Sequence, residues 1–133
     1  MNDTSLLERT RAYFQEYAAL YMRSDAAAIA NRFYEAPFVA VRRGEPIHMA
    51  TTADVVEHLR GVMAAYRASG AAAAEIGDIA IDEQGNAAML VTVDWHIRGP
   101  DHALIRELRT SYQIAGRDSW RILSYVNHDT VDA

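Results

Sequence analysis

The residues best suited to proton transfer are Asp94 and His96, which lie two positions apart in a segment typical of a β-strand. Side chains two residues apart in a strand point to the same face, so a carboxylate and an imidazole would stand side by side. Such a pair is able to act as general acid and base in a dehydration or an isomerisation. The residues of the opposite parity, however, are apolar: Val91, Val93, Trp95 and Ile97.

This strand therefore has two possible orientations. Burying Val93 and Trp95 stabilises the fold by on the order of 2 kcal/mol per large side chain. Burying Asp94 and His96 costs free energy unless each finds a partner. We predict that Val93 and Trp95 face the helices while Asp94 and His96 face outward. The alternative is that a functional pocket reverses this order and encloses the Asp94–His96 pair.

The residue types that are missing restrict other kinds of chemistry. The chain has no cysteine, and all 13 of its basic residues are arginine. A thiolate nucleophile, a thiolate metal site and a lysine Schiff base are therefore excluded. No two of the five histidines have the i, i+4 spacing of a helical metal site. We expect neither a metal ion nor a cofactor.

Length and composition predict one globular domain over residues 1–133, half of them hydrophobic. A net charge of −5 and a pI near 5.4 argue against a nucleic-acid partner, which requires a basic face. No apolar run reaches the roughly 20 residues of a membrane helix, so we expect no membrane partner. The N-terminus lacks a signal-peptide pattern and cysteine is absent, so we expect the protein in the cytoplasm.

Helical patterns and a short hairpin occupy the first half of the chain. Capping boxes are predicted at Ser5–Glu8 and Thr51–Asp54, where a helix start satisfies its free amides. Apolar residues recur at helical spacing in three segments: Leu6 to about Met22, Ala26 to Tyr34, and Val55 to Tyr66. Between the last two of these segments, Phe38–Val41 and Ile47–Met49 have the pattern of a hairpin around a turn at Gly44.

Strand patterns occupy the second half. Four segments end at turn signals rich in Gly, Asn, Asp and Pro: Ile76–Ile81, Ala88–Ile97, Ala103–Ile114 and Trp120–Asn127. Strands near ten residues exceed the usual 5–6, so such a sheet must bend to bury one face. Gly77 is a candidate for a β-bulge. The whole order predicts an α+β fold with three helices on a curved, mostly antiparallel sheet.

The parity of the last strand predicts the assembly. Trp120, Ile122, Ser124 and Val126 are assigned to the inner face, which leaves Leu123 and Tyr125 on the outer face. Both are too apolar to remain exposed to water, and a partner subunit is the usual cover. We therefore expect a homodimer that forms through the outer face of the sheet, around Leu123 and Tyr125.

The order of elements resembles the nuclear transport factor 2-like (SnoaL-like) superfamily, in which a curved sheet forms a cone around a pocket. Within it, the pattern Tyr17-Ala18-Ala19-Leu20, followed by Asp25, Ile29 and Phe33, is similar to the bacterial ketosteroid isomerases. The resemblance aligns Tyr17 with their oxyanion-hole tyrosine, Val41 with their carboxylate base and Thr110 with their second oxyanion donor. Because valine carries no proton, the resemblance implies the fold and the pocket but not steroid isomerisation.

The residues expected to line that pocket and contact a ligand are aromatic or weakly polar: Tyr17, Tyr34, Val41, Trp95, Thr110, Tyr112 and Ser124. Each has a simpler role as a satisfied core residue, and for Tyr17 the two roles are equally favoured. Arg106 interrupts an apolar parity and either binds an anionic group at the pocket mouth or is solvated.

Two functions remain open. The first is binding of a small apolar molecule without catalysis. The second is a cofactor-free lyase, isomerase or cyclase that uses Asp94, His96 or Tyr17 as acid or base. The discriminating feature is whether a carboxylate or an imidazole points into the cavity.

Overall fold

The computed structural model describes the backbone of residues 3–128 and the side chains of residues 5–128. The ends of the domain predicted for residues 1–133 therefore lie outside the described residues. Three helices and six strands follow one another along the chain: α1 (Asp3–Met22), α2 (Ala26–Arg32), β1 (Tyr34–Arg42), β2 (Glu45–Met49), α3 (Thr52–Ala68), β3 (Ala73–Glu83), β4 (Ala88–Arg98), β5 (Leu104–Ala115) and β6 (Arg121–Asn127). This is the predicted order of elements.

The helix starts show where local sequence decides the structure. At α3 the predicted capping box is confirmed: Thr51 Oγ1 accepts from the Asp54 amide, and the Asp54 carboxylate accepts from the Thr51 amide, each at 3.2 Å. At α2 the Asp25 carboxylate accepts from the Ala28 amide at 3.1 Å. The capping box predicted at Ser5 is wrong, because α1 already includes Asp3.

The six strands form one sheet in the order β2-β1-β6-β5-β4-β3. Every pair is antiparallel except β1 and β6, which run parallel. The pairing of β3 with β4 shifts between Ile76 and Ile79, which confirms the bulge predicted at Gly77. Helix α1 packs against β3, and α3 packs against α2 and β1. The inner face of the curved sheet is thereby covered by helices.

Strand β4 settles the orientation that the sequence left between two alternatives. Its burial alternates without interruption, and Val93 and Trp95 are only 0% and 5% exposed. Asp94 and His96 lie on the opposite, outer face and are half-buried. The prediction for this strand is confirmed, as expected from the larger apolar area gained by burying valine and tryptophan.

Strand β6 departs from the predicted parity. Its pairing with β5 shifts between Ile122 and Ser124, so Leu123 has no paired residue on β5. A bulge inserts one residue and reverses the faces of all residues after it. Leu123 is 37% exposed as predicted, but Tyr125 is only 7% exposed and faces the helices. The outward assignment of Tyr125 and the inward assignment of Ser124 and Val126 are therefore wrong.

Candidate functional site

A cavity lies between the inner face of the sheet and helices α1 and α3. It offers about 60 Å³ to water-sized spheres, and the whole void including the mouth is about 570 Å³. Six of the seven tyrosines of the chain line it. The wall consists of Tyr17, Ala18, Tyr21, Met22, Tyr34, Arg42, Val62, Tyr66, Ala74, Trp95, Ile97, Leu108, Thr110, Tyr112, Tyr125 and Asn127.

Tyr17 and Tyr34 form one half of a buried hydroxyl network. Their Oη atoms are 2.7 Å apart, so one hydroxyl donates to the other. Helix α1 presents Tyr17, and the first residue of β1 is Tyr34. Burial raises the pKa of both phenols well above the usual range, so both keep their protons. The proton of the accepting hydroxyl is left to point elsewhere in the cavity wall.

Strands β4 and β5 supply the other half. Trp95 Nε1 donates to Tyr112 Oη at 2.9 Å, which leaves the Tyr112 proton free to donate in turn. Burial raises the pKa of Tyr112 as well. Next to it on the same face, Thr110 Oγ1 donates to the Asn127 side-chain oxygen at 2.9 Å. These bonds fix the rotamers of four wall residues.

Tyr125 is supported from behind by His58 of helix α3. His58 Nε2 and Tyr125 Oη are 2.7 Å apart. Burial, with a smaller effect of Arg42, lowers the pKa of His58 below 6.5, so the imidazole is neutral near pH 7. Burial raises the pKa of Tyr125 to about 12. In one imidazole tautomer, His58 Nε2 accepts a hydrogen bond from the Tyr125 hydroxyl. In the other tautomer, Nε2–H donates to Tyr125 Oη, and the phenol proton is then free to point into the cavity.

Every polar side chain in this wall is able to donate a hydrogen bond, and no described one is negatively charged. Within the described residues, no protein group hydrogen-bonds to the hydroxyls of Tyr21 or Tyr66, and Arg42 adds a guanidinium. No aspartate or glutamate belongs to the described lining, and the side-chain oxygen of Asn127 already accepts from Thr110. An occupant that supplies acceptor oxygens would therefore satisfy groups that only water satisfies otherwise.

Comparison with known proteins identifies the family. A family model described as "NTF2-like protein (DUF6841)" matches residues 8–130. The chain is a member of this NTF2-like family. No curated protein matches it. The resemblance predicted from the order of elements is thereby confirmed at the level of the superfamily and the fold.

Solved structures agree with this assignment of the fold. An NTF2-like protein with a cystatin-like fold from Novosphingobium aromaticivorans is 16% identical, with a TM-score of 0.70 over 99% of this chain and 92% of that chain. An NTF2-like superfamily protein from Salmonella enterica is 12% identical, with a TM-score of 0.68 over 99% and 96%. Aln2 from Streptomyces is 15% identical, with a TM-score of 0.69 over 96% and 92%. At these identities the likeness concerns the fold alone.

Five of the predicted ligand-contacting residues lie in the wall of this NTF2-like cavity: Tyr17, Tyr34, Trp95, Thr110 and Tyr112. Two do not. Val41 is on the outer side of β1, because its neighbours Ala40 and Arg42 face inward. The pairing of β1 with β6 shifts between Tyr34 and Val39. This irregularity determines which residues of β1 face inward after Tyr34. Ser124 is turned outward by the bulge at Leu123.

Several wall residues were missed from the sequence. Tyr21 is not among the predicted pocket residues, although its spacing from Tyr17 on α1 is a usable signal. Tyr66 is predicted only as part of the apolar face of its helix. The inward direction of Tyr125 was not predicted, because it depends on the bulge at Leu123. Arg42 was missed because the alignment placed Val41 at the inner position.

The Asp94–His96 pair belongs to the outer face of the sheet. Arg109 Nε donates to Asp94 Oδ1 at 2.6 Å, and His96 Nε2 is 3.8 Å from Glu107 Oε1. Across residues 5–128, no three His, Asp or Glu side chains are grouped to hold a metal ion. Over residues 3–128, no helix has the length and apolar character needed to cross a membrane.

Proposed function

We propose that this NTF2-like protein binds a small, mainly apolar molecule that carries a hydrogen-bond acceptor. The observation that carries the proposal is a largely aromatic cavity whose polar side chains are all able to donate a hydrogen bond, with no carboxylate in the described lining. Apolar walls with a few oriented polar groups are typical of small-molecule sites. Tyr17, Tyr34 and Tyr112 contribute ring surface for affinity and hydroxyl protons for orientation.

The size of the cavity limits the ligand. A buried water needs roughly 10–15 Å³ of the volume open to its centre. The 60 Å³ here therefore holds about five waters, which is less than the roughly 150 Å³ of a cavity that holds benzene. A ligand with a single ring must therefore also use the mouth, where the whole void reaches about 570 Å³. A molecule of several fused rings is too large unless the helices move apart. The aromatic rings of Tyr17, Trp95 and Tyr112 favour a flat, unsaturated ring as the apolar part.

Binding is favoured over catalysis by the acid–base properties of the wall. Asp94 and His96 lie on the outer face, away from the described lining. The raised pKa values of Tyr17, Tyr34 and Tyr112 make these phenols poor bases near pH 7. Donor groups without a base orient a ligand but do not remove its protons.

A second candidate function, a cofactor-free isomerase or lyase, is supported by one contact. The 2.7 Å contact between His58 and Tyr125 joins a titratable imidazole to a hydroxyl in the cavity wall. His58 is able to accept the Tyr125 proton at Nε2 and become an imidazolium while the phenol oxygen takes a proton from a ligand. The same two protons return when the ligand is protonated at its new position. Turnover that is lost in both His58→Gln and Tyr125→Phe would favour this candidate.

The proposal is tested by native mass spectrometry of the purified protein. We expect a bound small molecule that is released by mild unfolding. Val62→Phe, which adds a ring to the cavity wall, should lose it. Ala64→Phe, on the exposed side of the same helix, is the matched control and should retain it. A mass equal to that of the bare chain, followed by no thermal stabilisation from monocyclic carbonyl compounds, would contradict the proposal.

A further inference from the structure

Next to the cavity lies a second cleft whose wall carries two arginines. The cleft offers about 200 Å³ to water-sized spheres and runs between α3 and the start of β5. It shares Arg42, Val62, Tyr66 and Ile97 with the cavity, so the two spaces are adjacent. Ala65, Ser69, Ile105 and Arg106 complete its wall. A ligand seated in the cavity would therefore lie beside this cleft.

Two arginines, Arg42 and Arg106, stand at the junction without partners. Within the described residues, neither guanidinium makes a hydrogen bond or an ion pair, whereas Arg32, Arg98, Arg109 and Arg121 each pair with a carboxylate. Glu45 is the cross-strand neighbour of Arg42, yet it is exposed and does not pair with it. The cavity and the cleft therefore carry two positive charges in a chain whose net charge is −5.

The surroundings of these guanidiniums strengthen their effect. Arg42 is half-buried and lines the cavity beside Tyr21, Tyr66 and Tyr125. Burial raises the pKa values of these three phenols, and the charge of Arg42 opposes that rise. From the other side of the cleft, the charge of Arg106 likewise opposes the rise that burial causes in the pKa of Tyr66. A partly desolvated guanidinium favours a carboxylate through paired N–H···O bonds. No described carboxylate lines either space to repel an anion.

We propose that the ligand of this site is a small aromatic monocarboxylate, with its ring in the tyrosine-lined cavity and its carboxylate between Arg42 and Arg106. This inference rests on the proposed binding function and adds the charge and the orientation of the ligand. Tyr66 lines both spaces, so its hydroxyl is able to donate to the same oxygens.

The test compares two probes of nearly equal size, benzoate and benzyl alcohol, by isothermal titration calorimetry of the full chain. We expect benzoate to bind at least about tenfold more tightly, because charge-assisted hydrogen bonds are stronger than neutral ones. Arg42→Met should abolish that preference, so that benzoate binds no more tightly than benzyl alcohol to this variant. Arg106→Met, at an exposed position that tolerates change, should reduce the preference about threefold or more.

Controls separate this inference from the proposed function. Arg60→Met, on the exposed side of α3, should keep the full preference for benzoate. Equal affinity of the wild-type protein for both probes, or an unchanged preference in both Arg42→Met and Arg106→Met, would overturn the anionic ligand while leaving the binding function standing. Failure of the wild-type protein to bind either probe would overturn both.

Discussion

The Tyr17 and Tyr34 hydroxyls, 2.7 Å apart in the cavity wall, are a buried pair in which each depends on the other. Tyr17→Phe leaves the Tyr34 hydroxyl without this partner, on a side chain that is only 1% exposed. We expect a loss of about 1–2 kcal/mol in the free energy of unfolding, measured by urea denaturation. The loss arises from the unsatisfied hydroxyl and not from a cavity, because phenylalanine retains the ring.

The double variant Tyr17→Phe/Tyr34→Phe is the control for this prediction. With both hydroxyls removed, no unpaired group remains, so the double variant should lose less than the sum of the two single losses. If the losses of the two single variants in the free energy of unfolding added exactly in the double variant, the hydrogen bond between Tyr17 and Tyr34 would be contradicted.

The His58 imidazole makes stability depend on pH. Its folded-state pKa lies below 6.5, mainly because of burial and to a smaller extent because of Arg42. As the pH falls, the unfolded chain therefore binds a proton at His58 before the folded chain does. The stability that neutral His58 contributes is fully present above about pH 6.5 and is lost as the pH falls below that value. We expect NMR titration to give a His58 pKa below 6.5. His58→Gln should flatten the fall of stability between about pH 7 and 5. A His58 pKa above 6.5 would contradict the burial argument.

At the level of single residues, the sequence predicted side-chain types better than positions. The family resemblance places Tyr17 at the pocket, and Thr110 is both aligned with a family site residue and the polar member of an apolar parity. Trp95 and Tyr112 are predicted there as aromatic members of inward parities. Arg42 was not foreseen, because its inward direction depends on a pairing shift between Tyr34 and Val39. Such a shift is set by contacts between distant strands and leaves no local signal.

Among the elements, strand β4 offers the sharpest test of the fold. Trp95 is buried, contacts Phe14 and Tyr17 through its ring, and donates to Tyr112. Trp95→Ala should lower the free energy of unfolding by about 3–5 kcal/mol, because it removes a large buried ring. The measurement is urea denaturation followed by circular dichroism, since the variant has lost one of its two tryptophans.

Two variants of the outer face of β4 are its controls. Asp94 pairs with an exposed Arg109, and His96 stands 3.8 Å from Glu107. Surface pairs of this kind contribute about 0–1 kcal/mol, so Asp94→Ala and His96→Ala should change stability little. If either variant lost more than about 2 kcal/mol in the free energy of unfolding, the exposed, outward position of Asp94 and His96 would be contradicted.

The two bulges show which irregularities a sequence reveals. The bulge in β3 falls at Gly77, and a glycine inside a strand pattern is a recognised signal. The bulge in β6 falls at Leu123, an ordinary strand former, and it reversed the assignments of Ser124, Tyr125 and Val126. Its cause is the long-range pairing of β6 with β5 on one side and β1 on the other.

For the whole molecule, we propose a homodimer through the outer face of the sheet, with a corrected set of residues. Leu123 and Val126 are 37% and 41% exposed, and Val41 is the Cα partner of Val126 on the neighbouring strand. Leu123→Arg should convert a dimer into a monomer, because an unpaired charge in an apolar interface is costly. Light scattering at micromolar concentration measures this. A wild-type monomer would contradict the dimer.

Tyr125→Arg distinguishes the corrected interface from the one predicted from the sequence. Because Tyr125 is buried against Phe38 and His58, this change should lower the thermal unfolding temperature and leave the subunit contacts in place. A stable monomeric Tyr125→Arg protein would contradict the inward orientation of Tyr125.

The order of helices and strands was sufficient to predict the α+β fold, because hydrophobic periodicity and turn signals mark each element locally. The function was less accessible. Whether Asp94 or Trp95 faces the cavity follows from burial energetics, but the identity of a ligand depends on where Tyr21, Arg42 and Tyr125 converge. That convergence arises only in the folded molecule.

The most direct test of the central claim uses the tryptophan in the cavity wall as a reporter. Trp95 lines the cavity, whereas Trp120 lies in a separate surface groove with its ring under the Arg9 guanidinium. In a Trp120→Phe background, titration with benzoate or benzyl alcohol should change the Trp95 fluorescence in a saturable way, and adding Val62→Phe should abolish that change. No saturable change with either compound at millimolar concentration, or an equal change with Val62→Phe present, would contradict binding in this cavity.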